Sequence, residues 1–369
     1  LDLSAPEHIG VDKKIAGQIE AMRQMGHRVD LMSYHQNAWV LNRSETLRQY
    51  ASEPRWQRLF HYYRSALLDA ADLVSARAYD LLYVRFQMGI PYLYESLLRF
   101  KQRNPSLRII LETPTFPYHG EVRTLRDQLL YRWDARTRNR LHRVCDRVVT
   151  YCGQHEVMGI PAVPLSNGFD PDQVPFCPKP YVDPTSLLFV GVSSLADWHG
   201  YDRVVRGLER YYAQGDPQTR VFFQMVGVGR ATEEMARLVG RSPAAPHIGL
   251  SPNLGGEALD ALFLRMDLGI SGLGLHRKGL ETASDLKSRE YCARGKPFVQ
   301  SFRDEAFPPE HFPYVLRVPA DDTPLDISEL VAFTLGLYQA DPHFPTRIRT
   351  YAEENLTWKQ QLSKVPELG

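Results

Sequence analysis

The stretch His276 to Val299, HRKGLETASDLKSREYCARGKPFV, marks both ends of a helix and places a strand behind it. Ser284 is a residue of N-cap type, Asp285 is an acid suited to a first turn, and Gly295 stands where a left-handed residue stops a helix. The spacing therefore predicts a helix over 285–293 that begins at Ser284, and the apolar run Pro297 to Ser301 predicts the strand it feeds. In a parallel α/β layer the N-terminus of such a helix faces the crevice at the carboxyl ends of the strands. Its unpaired N–H groups and dipole attract anions, and Lys287 adds a full positive charge. Lys287 and Glu290 are three residues apart and share a face, so a cation able to hold a diphosphate sits beside a carboxylate able to accept hydrogen bonds from a sugar's vicinal hydroxyls. On spacing alone, a solvated ion pair on a surface helix accounts for the same two residues.

Toward the N-terminus the alternation continues with strand Leu268 to Ser271, helix Glu257 to Met266, strand His247 to Leu250, helix Thr232 to Val239, strand Arg220 to Val226, helix Tyr201 to Tyr212 and strand Leu187 to Val192. Between Gly168 and Thr185 stand Pro171, Pro175, Pro178, Pro180 and Pro184, a density that no helix or central strand accepts, and this segment reads as a linker. Ahead of it lies a second alternation: strand Leu1 to Ser4, loop Ala5 to Asp12 containing Gly10, a helix from about Lys13 to Met25, and strands His27 to Tyr34, Asp80 to Phe86, Leu107 to Thr113, Arg147 to Cys152 and Ala162 to Ser166. The fold class expected is α/β, with two doubly wound, Rossmann-like parallel-sheet domains.

A chain of 369 residues suits two such domains, and 43% hydrophobic with 24% charged residues is ordinary globular usage. A net charge of +1 offers no bulk attraction to nucleic acid. No long uninterrupted apolar run predicts a transmembrane helix, and the first residues lack a charged-then-apolar export pattern, so a cytoplasmic location is expected. Cys145, Cys152, Cys177 and Cys292 have no CxxC spacing and read as reduced structural thiols, with no metal site expected. No Gly-x-Gly-x-x-Gly follows a first strand, which argues against a dinucleotide-dependent dehydrogenase.

Charge divides unevenly, with residues 1–165 at net +6 and residues 166–369 at net −5. The surplus gathers from Arg123 to Arg147, where eight arginines face three aspartates and interleave with Leu129, Leu130, Tyr131, Trp133 and Leu141. Arg55 to Arg64 adds Trp56, Phe60, Tyr62 and Tyr63. One reading is a solvated basic helix with a core stripe; the other is a surface that meets anionic lipid headgroups or an acidic, lipid-linked acceptor.

The opening stretch resembles the signature of the family-4-like glycosyltransferases of the GT-B fold. That family has a Glu-x(7)-Glu segment before an AxGxP turn, and Glu290, Tyr291, Ala293, Gly295, Lys296 and Pro297 match its second half. SDLKSREY is similar to the subgroup of capsular and exopolysaccharide synthesis, whose phosphate lysine matches Lys287. LLFVGVSSLADWHGYDRVV, from Leu187 to Val205, resembles the family's first C-domain strand and loop. SNGFDPDQV, from Ser166, resembles its interdomain turn, and LETPTFPYHGE, from Leu111, its acceptor-domain strand end, so the likeness runs nearly the length of the chain. Two positions depart. The first Glu falls at Glu281, nine residues before Glu290 instead of eight, leaving Thr282 in the strict position. Where many relatives carry an Arg and a Lys after the first C-domain strand, this chain has Ser193, Ser194 and Trp198-His199-Gly200, so that His199 or backbone N–H groups take their place, supplemented by Arg277 and Lys278.

The resemblance implies the GT-B architecture, two doubly wound parallel-sheet domains facing a central cleft. Residues 1–167 would bind the acceptor, residues 168–343 the nucleotide sugar, and residues 344–369, with Asn355-Leu-Thr-Trp358-Lys, would cross back to the first domain. It further implies a retaining glycosyltransferase, without metal or other cofactor, that uses a nucleotide sugar of UDP, GDP or dTDP type. The acceptor would be a glycan, a lipid-linked sugar or a protein in polysaccharide or glycoconjugate synthesis, met in part at the inner face of an anionic membrane. The catalytic residues implied are Lys287 on the leaving diphosphate, Glu281 on the sugar, and Glu112 and His119 at the acceptor-domain strand end. Contacts to the nucleotide sugar are expected from Glu290, Ser284, Leu286, Thr282, His199, the Gly227-Val-Gly229 turn, the backbone near Leu250 and the Gly10 loop. A nucleotide-sugar epimerase of the same architecture and a catalytically silent subunit are the alternatives.

Overall fold

Alternating strands and helices organise both halves of the chain in a computed structural model that describes residues 9–35, 38–50, 67–75, 78–87, 92–118, 122 and 124–369. Two units separate, the first Leu1–Leu165 with Gln361–Gly369 and the second Ser166–Gln360.

The described elements of the first unit are α1 (Ile9–Gln24), β1 (Met32–His35), β2 (Ala38–Leu41), β3 (Glu45–Gln49), α2 (Leu67–Ser75), β4 (Leu81–Arg85), α3 (Leu93–Arg103), β5 (Arg108–Thr113), α4 (Leu125–Arg138), β6 (Arg147–Thr150), β7 (Glu156–Val157) and β8 (Ile160–Pro164). The main sheet runs β4-β5-β6-β8-β7, parallel except for β7, which turns back antiparallel on β8. Leu93, Tyr94, Leu97 and Phe100 recur at helical spacing and bring one face of α3 onto Ile109, Leu111 and Val148. Two expectations are corrected here. His27 to Tyr34 is not a strand of the parallel sheet; only β1 forms, and it belongs to an antiparallel meander β1-β2-β3. The chain turns back between β2 and β3 through Asn42, Arg43 and Ser44, the first two left-handed with φ of 49° and 62°, backbone that a tight antiparallel connection uses and a parallel crossover does not. Gly10 lies in the first turn of α1, not in a loop, because the helix begins at Ile9. The expected strand Leu1 to Ser4 lies outside the described residues.

The second unit contains β9 (Ser186–Val192), α5 (Tyr201–Ala213), β10 (Arg220–Val226), α6 (Thr232–Arg241), β11 (Ile248–Ser251), α7 (Gly256–Arg265), β12 (Leu268–Ile270), α8 (Leu286–Ala293), β13 (Phe298–Gln300), β14 (Val315–Arg317), α9 (Ile327–Ala340) and α10 (Phe344–Asn355); the unit boundary falls within α11 (Trp358–Leu362). Its sheet is parallel throughout, in the order β11-β10-β9-β12-β13-β14. Both faces are covered, Phe189 pointing into one core with Val205 and Phe223, and its neighbour Val190 into the other with Phe263 and Tyr291. The chain winds outward from β9 to β11 on one side and from β12 to β14 on the other. The order reverses between β9 and β12, and sheets of this kind bind ligands at the carboxyl ends of the strands that flank such a reversal.

Candidate functional site

At that switch point α8 begins one residue later than the sequence predicts. Asp285, not Ser284, is the N-cap, with φ −90° and ψ 153° and a carboxylate that accepts from the Ser288 N–H at 3.0 Å. Ser284 is held elsewhere, its hydroxyl accepting from the Asn167 N–H at 2.7 Å. The Asp285 carboxylate also accepts from the Ser271 hydroxyl at 2.6 Å, so the helix end is tied to the end of β12. The far end stops as expected: Gly295 has φ 74°, and the N–H groups of Gly295 and Lys296 close onto the carbonyls of Cys292 at 3.0 Å and Tyr291 at 2.9 Å.

Lys287 Nζ lies 3.4 Å from Asp285 Oδ2, and its side chain is 14% exposed. Burial lowers its proton affinity while Asp285 opposes the shift. Burial alone would raise Asp285, but Lys287 and the Ser271 and Ser288 hydrogen bonds hold it below the usual range. Glu290 pairs not with Lys287 but with Arg294, one turn on at 3.1 Å, and Arg294 reaches Asp260 at 2.6 Å. Leu286 opens the helix, and neither its N–H nor that of Lys287 is engaged by a backbone carbonyl among the described residues. Beneath α8, buried Arg289 pairs with buried Asp304 and donates to the Ser166 hydroxyl at 2.6 Å and the Asn167 carbonyl at 3.1 Å. Sequence reasoning passed over both Arg289 and Asp304.

Three loops converge beside this helix end. After β9 the chain makes a short 3-10 turn, Asp197–His199, closed by left-handed Gly200. His199 Nδ1 accepts from the Ala196 N–H at 3.1 Å, which leaves the hydrogen on Nε2. Burial, then the charges of Lys287, Lys278 and Arg230, push its pKa well below the usual value. The neutral ring so favoured can donate a hydrogen bond through Nε2. After β10, Gly227 (φ 129°) and Gly229 cross so close beneath the β9 loop that a Cβ would run into the carbonyl oxygens of Ser193 and Leu195. The next residue, Arg230, stacks its guanidinium 3.9 Å from the centre of the Trp198 ring and pairs with Asp197 at 2.6 Å. After β12, a second 3-10 turn, Leu275–Lys278, brings Lys278 Nζ to 4.6 Å from the same ring. Arg277, expected as a supplementary phosphate cation, is committed to Asp202 at 2.9 Å and Asp322 at 2.7 Å. Glu281 is exposed, and its backbone joins Thr282 and Ala283 in a short parallel pairing with Arg303. Leu250 sits in β11 opposite Met225.

In the first unit, Glu112 near the carboxyl end of β5 is 1% exposed and carries five partners. One oxygen meets Lys14 Nζ at 3.3 Å and Arg85 at 2.5 Å. The other accepts from Gln18 at 2.7 Å, Tyr83 at 2.8 Å and Tyr151 at 3.1 Å. Burial would raise its pKa, but Lys14 and Arg85, with the hydrogen bonds, bring it to about 2. Burial takes Lys14 down to about 8. So occupied, Glu112 fastens α1 to the ends of β4, β5 and β6. His119 lies outside the described residues.

No family model matches the chain, and no curated protein matches its sequence. Solved structures do. The UDP complex of HepE (Alr3699) from Anabaena shares 13% identity over 87% of this chain and 85% of that one, with a TM-score of 0.56. Sucrose-phosphate synthase from Thermosynechococcus elongatus shares 14% identity over 87% and 79%, with a TM-score of 0.57. The trehalose-6-phosphate synthase OtsA shares 12% identity over 97% and 94%, with a TM-score of 0.60. At such identities the likeness speaks for architecture alone, and it agrees with the two parallel α/β units: the chain has the GT-B fold.

Proposed function

We propose that the protein is a nucleotide-sugar-dependent glycosyltransferase whose second unit binds the donor. The observation that carries this reading is Lys287 in the first turn of α8 at the switch point, with Glu290 one turn further along the same helix and Arg230 and Lys278 brought over the Trp198 ring from the loops after β10 and β12. A diphosphate fits the cations and the first N–H groups of α8, and the open oxygen of Glu290 suits a ribose hydroxyl. The protein of similar fold from Anabaena was crystallised with UDP and with UDP-glucose, which supports the same ligand class here.

In the reaction we infer, the bond from the sugar's anomeric carbon to the diphosphate breaks, and the bond to the acceptor oxygen forms on the same face. The acceptor proton passes to the departing phosphate oxygen, so configuration is retained and no separate base is required. Lys287 and the α8 N–H groups stabilise the charge that develops on the diphosphate, the work a divalent cation does in other transferases.

The acceptor side belongs to the first unit, and α4 supports a peripheral contact with an anionic membrane that presents a lipid-linked acceptor in polysaccharide or glycoconjugate synthesis. Leu125, Leu129 and Trp133 recur every four residues on its solvent face, 79%, 67% and 48% exposed. Among the described residues no helix is long and apolar enough to cross a membrane.

The test is product analysis with UDP-, GDP- and dTDP-sugars and a lipid-linked or glycan acceptor. One nucleoside diphosphate released per sugar transferred, with the donor's anomeric configuration in the product and no loss of turnover on chelation, is the expected result. An isomerised nucleotide sugar, or binding without turnover, overturns it.

A further inference from the structure

One buried ion pair of the second unit takes no part in the reaction inferred above. Arg289, on α8, and Asp304, in the loop after β13, are 1% and 2% exposed and pair through both carboxylate oxygens. A buried pair of this kind is often no more stabilising than apolar side chains of the same volume, so stability alone does not account for it. What it adds is geometry, because a guanidinium is a rigid planar fork that fixes the positions of the groups it binds. Arg289 uses every arm of that fork. Nε donates to the Ser166 hydroxyl at 3.0 Å and the Asn167 carbonyl at 3.1 Å, Nη2 to the Ser166 hydroxyl at 2.6 Å, and Nη1 to the carbonyl of Asp285, the N-cap of α8, at 3.3 Å. Asn167 closes the circuit: its N–H donates to the Ser284 hydroxyl at 2.7 Å and its side-chain amide to the Ser284 carbonyl. The second unit begins at Ser166. The segment by which the chain enters that unit and the cap of α8 are therefore held to each other through one buried arginine.

We propose that Arg289 is a positioning residue that fastens the Ser284–Asp285 cap to the Ser166–Asn167 segment and so sets the direction in which the first N–H groups of α8 and Lys287 face. Buried as it is, Arg289 acts through the groups it holds and not on a ligand. The proposal rests on the donor-site reading above and adds to it the means by which the helix end is kept in place. The hydrogen bond from the Ser288 N–H to the Asp285 carboxylate fixes where α8 starts, but not where that start stands in the unit. Two longer ties do so: Ser271 holds the Asp285 carboxylate to the end of β12, and Arg289 holds the Asp285 carbonyl to Asp304 and the entry segment. Preorganised dipoles stabilise a developing charge when they need not turn toward it, and a displacement of about 1 Å can cost on the order of a hundredfold in rate. A lysine at this position could pair with Asp304, but a point charge without a fork could not hold the Asp285 carbonyl and the entry segment together.

Amide hydrogen exchange, calorimetric titration with UDP, GDP and dTDP, and turnover of the matching sugar donor separate a positioning role from a structural one. The forms compared are wild type, Arg289→Lys, and Arg289→Met combined with Asp304→Leu, which replaces the pair by apolar side chains and supplies a folded comparison if the lysine variant does not fold. In both variants exchange at the Asn167 and Ser288 amides, which report the entry segment and the cap, should rise by about tenfold or more, while the amides of β9 and β10 keep wild-type protection. Affinity for the diphosphate that wild type binds best should fall by less than about threefold, because a bound nucleotide can follow a loosened helix end, whereas kcat should fall by about ten- to hundredfold. Exchange that rises across the whole sheet, with turnover lost in proportion to the unfolded fraction, makes the pair structural only and overturns the proposal. Wild-type exchange at Asn167 and Ser288 in the variants overturns it as well, and so does loosened exchange with kcat unchanged. A wild type that binds none of the three diphosphates overturns the donor reading itself, a failure kept distinct because it is read on wild type alone.

Discussion

Lys287 and Asp285 set opposite charges 3.4 Å apart at a helix end whose dipole favours only the anion, so Asp285 already occupies in part the role a diphosphate would take. Asp285→Asn keeps an N-cap of equal quality and removes the competing charge, and nucleoside diphosphate affinity should rise by about three- to tenfold. Unchanged or weaker binding by calorimetry would mean that the anion sits elsewhere. On the proposed function, Lys287→Ala removes a preorganised contact to the leaving group and should lower turnover by about 10²–10³-fold with the fold intact. Near-normal turnover with the best donor would return Lys287 to the helix surface. Glu112 makes a different kind of prediction. Its pKa is depressed from 4.5 to about 2 by Lys14 and Arg85, so the stability it contributes is complete above pH 4.5 and drains away as pH falls toward 2. Glu112→Gln removes the buried carboxylate charge that Lys14, 5% exposed, and Arg85 share, and should cost about 3–5 kcal/mol in urea unfolding at neutral pH. A cost below about 1 kcal/mol would show that the cluster does not hold α1.

The elements differ in how plainly the chain announces them. β9 to β12 and the helices between them follow apolar period closely, and α8 missed by one residue because Ser284 and Asp285 are both capping types. What decided between them, the Asn167 N–H that claims Ser284, comes from a residue far away in sequence. The meander β1-β2-β3 was not legible because its turn, Asn42-Arg43, lacks the glycine that usually announces a left-handed pair. Gly295 announced itself, and substitution should be severe. Gly295→Ala must hold φ 74° and place a Cβ 2.5 Å from the Phe176 ring and 2.7 Å from the Pro345 carbonyl, so a loss of about 2–4 kcal/mol is expected in chemical denaturation. A loss under 1 kcal/mol would mean that the neighbours yield freely. α4 reverses the usual amphipathic rule. Its buried side holds Asp134, 3% exposed and bonded to Tyr118, whereas its solvent side holds Leu125, Leu129 and Trp133. The run of arginines concealed that reversal in the sequence, since no periodicity says which of two mixed faces turns inward.

At the scale of the whole molecule, charge and fold divide together. Residues 1–165 carry +6, and the returning segment 361–369 adds Lys364 and Glu367, which cancel, so the first unit stays basic while the second is acidic. That split was legible by counting. The candidate site was legible only in part, because Lys287 and Glu290 stand in one motif, whereas Trp198, Arg230 and Lys278 come from three loops that only the sheet order brings together. The basic surplus has a direction that the α4 stripe makes testable. Arg132, Arg136 and Arg143 have no ion-pair partner among the described residues, whereas Arg138 and Arg140 face Asp134 at 3.7 Å and Glu95 at 3.6 Å. Each unpaired arginine near an anionic bilayer contributes about 1 kcal/mol and loses much of it when salt shortens the Debye length below about 8 Å. Apolar insertion of Leu125, Leu129 and Trp133 is not screened in this way, so the two contributions separate by ionic strength. Sedimentation with anionic vesicles should fall with added salt but not vanish, and reversing the charge of Arg132, Arg136 and Arg143 should abolish the salt-dependent part. Replacing Leu129 and Trp133 by Gln should abolish the residue that survives high salt, without loss of stability, because neither side chain is packed against the core. Equal pelleting with neutral and anionic vesicles, or none with either, would leave α4 an exposed face that meets a protein or a second copy of the chain.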